Sequence, residues 1–322
     1  MRKVFALLSV LFLVLGLNVG AAYASLPDAS ENQEKPIVVC TTTVLGSTVQ
    51  ELAGENVEVT VFVQPGICPA FYDIKPGDLY SLEKAAVVFY HGFEYKMWLK
   101  GMLESTGSKA AAVKISGNWN TPEGAKNYVN QIAAALKEHV GLDVSAKAAE
   151  MISEIDKVAG EIKSEAEALG VSEVNIICME WQKPFVSWVG FNVVASYGPP
   201  ETLPAGKAAE LASKAKAESV KLIIDNLQSG TGFGASLSSE VGAVHVVLTN
   251  FPGAIPGTES LPKLLKYNAE RLFKAVEQAK YAEDLRGQIS SLEGQLTLFE
   301  VATIILAAVV VIEGVVLYAR KR

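Results

Sequence analysis

Six loops concentrate the side chains that have chemistry to offer, and each follows a run of apolar residues. The first, QPGICPAFYDIKP over 64–76, sets the thiol of Cys68 beside the rings of Phe71 and Tyr72. GNWNTP over 117–122 carries Trp119. MEWQ over 179–182, YGPPE over 197–201, DNLQSG over 225–230 and TNFPG over 249–253 complete the set. Two kinds of binding are open to it. Sulfur from Cys68 and Met179, completed by Glu180 and by His91 at the end of another apolar run, would suit a soft ion such as Cu(I), or a metal already held in a chelate. Alternatively, Phe71, Tyr72, Trp119 and Trp181 would wall a pocket for a small organic or cationic solute. Gln182, Asn226, Gln228 and Asn250 would then serve as amide donors and acceptors, and Glu201 and Asp225 as carboxylates. Enzymatic chemistry has no foothold: there is no Gly-x-Ser-x-Gly, no Gly-rich loop ending in Lys-Ser/Thr and no His-Glu-x-x-His. Cys40 and Cys178 fall inside apolar runs and read as packing residues, and His139 and His245 read as structural.

The elements that must position these loops alternate. Apolar runs of four to seven residues at 37–40, 57–63, 87–90 and 111–115 read as strands, with helices at 45–53, 76–85 and 97–105 between them. Such runs fit strands covered on both faces, which means parallel sheets. After a helix over 122–139 comes a longer one over 145–169, where Met151, Ile155, Val158 and Ile162 keep a helical period. At about 36 Å it is longer than one lobe requires, so it is read as a backbone joining two lobes. Strands then recur at 174–179, 192–195, 222–225 and 244–248, with helices at 182–189, 205–218, 236–241 and 261–276. The expected fold is α/β, two parallel-sheet lobes over 37–144 and 171–278 linked by a helix over 145–170. The six loops lie at strand ends, where open α/β sheets bind ligands.

Composition explains the two ends. The chain has 322 residues with a mean hydropathy of +0.26, high for a soluble domain. The excess sits in a dozen apolar residues near the start and a longer run near the end. The first follows Arg2 and Lys3 and leads to Ala22-Tyr23-Ala24, so 1–24 reads as a signal peptide and 25–36 as a polar leader. The last, 299–319, is long enough to span a bilayer and is followed by a basic tail at 320–322, expected in the cytoplasm. A stalk helix over 279–298 precedes it. Leu285, Ile289, Leu292, Leu296 and Phe299 are spaced four, three, four and three apart, a heptad seam, but this covers little more than two heptads and includes Gly287 and Gly294, so a simple stalk is favoured over a dimerising helix. A net charge of −7, or −9 without Arg2 and Lys3 (−7 − 2), excludes a nucleic-acid footprint. Three cysteines are too few for a disulfide scaffold.

The segments IVVCTTTVLGSTVQELAGENVEVTVFVQPG, KPGDLYSLEKAAVVFYHGFE and KLLKYNAERL resemble the TroA-like (zinc/manganese-type, cluster A-I) solute-binding proteins of ABC importers. The resemblance covers about 37–276. It implies two lobes with a ligand between them, limited hinge motion, and a permease with its ATPase as partners. The ligand frame departs from the family. Where Asp-Pro-His-x-Tyr-Glu-Pro is usual, this chain has its Cys68-Pro69-Ala70-Phe71-Tyr72-Asp73 segment, with Ala70 in place of the histidine. Gly117 stands at the histidine of His-x-Trp-x-x-Pro, Met179 at the third ligand and Thr249 at the late aspartate. The expected function is therefore an extracellular, membrane-anchored solute-binding protein carrying a metal ion or metal complex, with no resident cofactor. A small organic or cationic solute in the same role, or a surface adhesion or sensor protein, are the alternatives.

Overall fold

The structure, a computed structural model, describes residues 34–204 and 206–321. The expected signal peptide over 1–24 and most of the leader lie outside the described residues. The first lobe is built from β1 (Ile37–Thr42), α1 (Thr43–Ala53), β2 (Glu58–Val63), α2 (Pro76–Lys84), β3 (Val87–Tyr90), α3 (Lys100–Thr106) and β4 (Ala111–Lys114). Its four strands are parallel, in the order β2-β1-β3-β4. Then follow α4 (Pro122–Val140) and α5 (Ser145–Leu169), the long helix between the lobes. The second lobe repeats the plan with β5 (Asn175–Met179), α6 (Lys183–Val189), β6 (Asn192–Tyr197), α7 (Lys207–Ala217), β7 (Leu222–Asn226), α8 (Gly232–Val241) and β8 (Val244–Leu248). Its strands are also parallel, in the matching order β6-β5-β7-β8.

The central strands β1, β3, β5 and β7 are buried on both faces, as the lack of alternation in their apolar runs requires, while the edge strand β4 alternates between half-buried and exposed. Val38 and Cys40 point into a large cluster that continues through Met151, Ile155 and Ile162 of α5, while their neighbour Val39 packs with Phe62, Leu82 and Val88 on the outer face. In the second lobe Ile176 and Cys178 join the large cluster, and Ile177 and Met179 pack outward with Leu211 and Leu237. One core therefore runs through both lobes around α5. Burial pushes the Cys178 thiol up to about 12, so this cysteine is a small packing residue and not a nucleophile.

Three helices depart most from expectation, of which α8 begins at Gly232, four residues ahead of the expected 236. The third helix is preceded by a π-turn over Tyr95–Leu99, two residues earlier than its periodicity predicts. The closing helix does not stop near 276. It runs unbroken as α9 (Leu261–Arg320), so the closing, stalk and apolar segments form one rod. Its last third is, among the described residues, the one helical stretch long and apolar enough to cross a membrane.

A close approach ties α4 to a functional loop. Gly124, in the first turn of α4, has its backbone N bonded to Thr121 Oγ1 at 3.2 Å, and Thr121 Oγ1 donates to Asn118 O at 2.9 Å. A Cβ on Gly124 would sit 1.8 Å from Asn118 O, a backbone atom that cannot swing away. Gly124→Ala is expected to destabilise the fold by about 1–3 kcal/mol and to displace the loop carrying Trp119. Thermal denaturation followed by tryptophan fluorescence checks it; an unchanged midpoint would mean that the loop yields freely.

Candidate functional site

The strand-end loops of the two lobes meet along a seam made of polar side chains and aromatic rings. On the first lobe, β1 ends in Thr41 and Thr42, and the loop after β3 supplies His91 and Glu94. All four are buried. Glu94 accepts from Thr41 Oγ1 at 2.5 Å, from His91 N at 2.9 Å and from Gly92 N at 3.0 Å, so its charge is met by three donors. His91 is held through both ring nitrogens, Nε2 to Thr42 Oγ1 at 2.7 Å and Nδ1 to Tyr128 OH at 2.8 Å. Burial lowers its pKa to about 3, which keeps the imidazole neutral. Trp119 stacks over this group, its ring 4.5 Å from that of His91 and 6.3 Å from that of Phe251 in the second lobe.

On the second lobe the seam is a cluster of side-chain amides. Gln182, fully buried at the start of α6, donates through Nε2 to Asn226 Oδ1 at 3.0 Å and to Asn250 Oδ1 at 2.9 Å. Its own carbonyl oxygen, Oε1, is buried with no hydrogen-bond partner. Gln228 donates to Thr249 Oγ1 at 2.8 Å and accepts from Asn250 N at 3.1 Å. Asn268 of α9 brackets Thr249 from behind, bonding both its N–H and its carbonyl.

Three hydrogen bonds cross between the lobes: Trp119 Nε1 to Asn250 O at 2.8 Å, Asn120 Nδ2 to Trp181 O at 2.9 Å, and Gln228 Nε2 to Pro65 O at 2.8 Å. The lobes are thus in direct contact at the level of the amide cluster. Of the residues expected to bind ligand, Trp119, Gln182, Asn226, Gln228 and Asn250 are brought together here.

The others stand elsewhere. Tyr72 is spent inside the first lobe, where its hydroxyl bonds Asp78 and its ring packs 4.6 Å from Trp98, whose Nε1 pins Pro69 O at 3.1 Å. Phe71 and Trp181 are exposed rings, at 66% and 52%. Glu201 is exposed on the turn Pro200–Thr202, beside a hollow of about 660 Å³ that Tyr197, Leu203 and Lys207 help to line. Asp225 is turned away from the seam. It alternates with Asn226 along β7 and is fully buried on the outer face, accepting from Tyr197 OH at 2.5 Å and pairing with His245 Nε2 at 2.7 Å. Trp188 lies over Lys163 of α5, with Nζ 5.0 Å from its ring.

The sulfur donors are separated in the same way. Met179 is wholly buried in the outer cluster of the second lobe, its sulfur facing the Trp181 N–H at 3.4 Å. Cys68 is half-buried in its loop and Glu180 is exposed. Among the described residues no three His, Cys, Asp or Glu side chains come together as a metal-holding group. Several residues of the seam escape sequence reading: Thr42, Tyr128, Asn120, Phe251 and Asn268. Only Asn120 carried a signal, as a second amide in a loop otherwise chosen for its tryptophan.

Two α/β lobes joined by a long helix meet at their strand-end loops, so the ground on which open α/β sheets bind ligands lies in the seam between them. The chain belongs to the family described as Zinc-uptake complex component A periplasmic, whose model matches residues 38–275 and whose members are solute-binding proteins and not enzymes. It is similar to the manganese-binding lipoprotein MntA of Halalkalibacterium halodurans, 29% identical over 108 residues, 34% of this chain and 36% of that protein. It is also similar to the iron-binding protein YfeA of Yersinia pestis, 24% identical over 151 residues, 41% of this chain and 49% of that one. The chain thus spans about a third to a half of the curated relatives it matches. Among solved structures it shares its fold with the Mn-bound periplasmic metal binding protein from Candidatus Liberibacter asiaticus. That match has a TM-score of 0.66 at 15% identity, over 75% of this chain and all of that one. The periplasmic zinc binding protein TroA from Treponema pallidum matches with a TM-score of 0.65 at 16% identity, over 75% and 99%.

Proposed function

We propose that this chain is the extracellular, membrane-tethered solute-binding component of an ABC-type metal importer, and that it takes its metal inside a complex. Family membership supports the role, and with it a permease and its ATPase as partners. The apolar end of α9 supports the tether. The observation that carries the nature of the cargo is the amide cluster with its orphaned carbonyl. A bare Zn²⁺ or Mn²⁺ is held by imidazole, carboxylate or thiolate. The seam instead offers Gln182, Asn226 and Asn250, and Glu94 is already satisfied by three donors. A metal whose coordination shell is filled by an organic chelator needs no protein donor. It needs hydrogen-bonding groups and aromatic faces for its outer surface. Leaving Gln182 Oε1 unmet costs about 1–3 kcal/mol, which an N–H or O–H of the cargo would recover. The same groups suit a metal-free organic solute, and this is the second reading.

Element analysis and native mass spectrometry of the full chain, purified in mild detergent, separate these readings. The expected result is one metal per chain together with an organic mass. An organic mass alone would move the cargo to the second reading, and a bare metal lost on Cys68→Ala would overturn both. Gln182→Leu, which keeps the bulk and removes both the free acceptor and the Nε2 donor to Asn226 and Asn250, is expected to lower retained cargo about tenfold, the equivalent of about 1.4 kcal/mol. Full retention by this variant would show that Oε1 does not meet the cargo.

A further inference from the structure

We propose that α9 pairs in parallel with α9 of a second copy of this chain, along a heptad seam that runs from the stalk into the apolar segment and buries Glu313 between the two helices. This rests on the tethered reading above. The helix passes from stalk to apolar segment without a break, so the spacing of Leu285, Ile289, Leu292, Leu296 and Phe299 carries on in register. The next positions are Thr303, Leu306, Val310, Glu313 and Leu317.

Nothing among the described residues covers this stripe. Leu285 is 40% exposed, Ile289 50%, Leu292 63% and Leu296 60%; off the stripe the large side chains of the stalk are polar apart from Tyr281 and Leu298, which are also exposed. With Leu285 and Leu292 at heptad position d and Ile289 at a, the core is the kind that favours two parallel strands. Gly287 and Gly294 both fall at f, on the outside, so they weaken the helix locally but leave the seam intact.

The flanking positions agree with a second copy as the occupant. In a parallel pair, Gln288 and Gln295 at g face Glu293 and Glu300 at e of the other helix, so no like charges meet across the stalk. A common membrane orientation makes the pair parallel. Glu313 is the clearest pointer. A carboxylate directed at lipid is costly, by about 2.5–3.5 kcal/mol at mid-span, and such groups normally face another helix. Glu313 lies on the seam, where the helix of the second copy would shield its side chain from lipid.

Cysteine cross-linking of the full chain in native membranes tests this, in a Cys68→Ser background because Cys40 and Cys178 are buried. Ile289→Cys and Leu292→Cys on the seam are expected to yield disulfide-linked dimer several-fold above Ser291→Cys and Gly294→Cys off it. Glu313→Gln should keep the seam cross-links and Glu313→Lys should lose them. Equal cross-linking at all four positions, or none while the chain resists alkaline carbonate, overturns the pairing alone. Release by carbonate overturns the tether and the pairing with it. A seam cross-link to a different polypeptide also overturns it, making the stripe a hetero-contact.

Discussion

Acidification from pH 7 to pH 4 is expected to remove about 3 kcal/mol of stability through His91 alone, and that part of the slope to disappear in His91→Gln. The imidazole is buried and bonded as a neutral ring to Thr42 and Tyr128, and burial lowers its pKa from 6.5 to about 3. The unfolded chain takes up a proton near pH 6.5, whereas the folded chain refuses it until about pH 3. Between those values the unfolded state binds more protons, so stability falls as pH falls, by about 1.36 kcal/mol per unit. Above pH 6.5 both states are neutral at this position and the contribution is flat. Denaturant unfolding of the full chain in detergent at pH 7, 5.5 and 4 measures it. Other groups also lose stability in acid, among them Asp143, whose carboxyl Lys137 and Ser145 hold below its usual range. They are common to both proteins and cancel in the comparison. Equal slopes for wild type and variant would show that the ring protonates in place.

Asp225→Ala is expected to cost about 3 kcal/mol of stability while leaving cargo retention unchanged. The carboxylate is fully buried and joins Tyr197 OH to His245, so its removal leaves two polar groups without their acceptor. Asp225→Asn keeps an oxygen for the tyrosine and should cost about 1 kcal/mol. Gly234 shows how closely this carboxylate is packed, since a Cβ there would lie 2.2 Å from Asp225 Oδ2. The retention arm matters as much as the stability arm. A stable Asp225→Asn chain that had lost its cargo would return Asp225 to the ligand site, against the face on which the structure puts it.

The strands were legible from sequence to within about two residues, because a buried parallel strand announces itself as an apolar run between turn residues. Val87–Tyr90 and Val244–Leu248 need no adjustment at all. The unbroken helix was not legible. Glu277, Gln278, Lys280, Glu283 and Asp284 erase the apolar period where α9 leaves the lobe, and a period exists only where one face is buried. The site was half legible. Prolines, glycines and aromatic residues mark the six loops, but a loop motif does not say which way its side chains face. Asp225 and Asn226 are neighbours and point to opposite sides of one strand. Met179, the last residue of β5, follows Ile177 into the outer core, while Gln182, three residues on, reaches the seam. One step in a two-residue period separates a residue that faces the seam from one that packs the core, and composition does not carry that information.

The unbroken rod also sets a distance. Ala279 is the last buried residue of α9, and the apolar stretch begins about twenty residues later, so with that stretch seated in a bilayer, as proposed above, the lobes would ride about 30 Å from its surface. A Gly/Ser linker of that length would have a similar average reach of about 25 Å, but would let the lobes wander through every height from contact to full extension. A mast removes that freedom. On the tethered reading the search for a permease would be a planar one at constant altitude, and a docking face at another level would be missed however long the two shared a membrane. The length of the stalk would then be a selectivity element in its own right. Deleting seven residues, two turns, would lower the lobes by about 10 Å while preserving their heading.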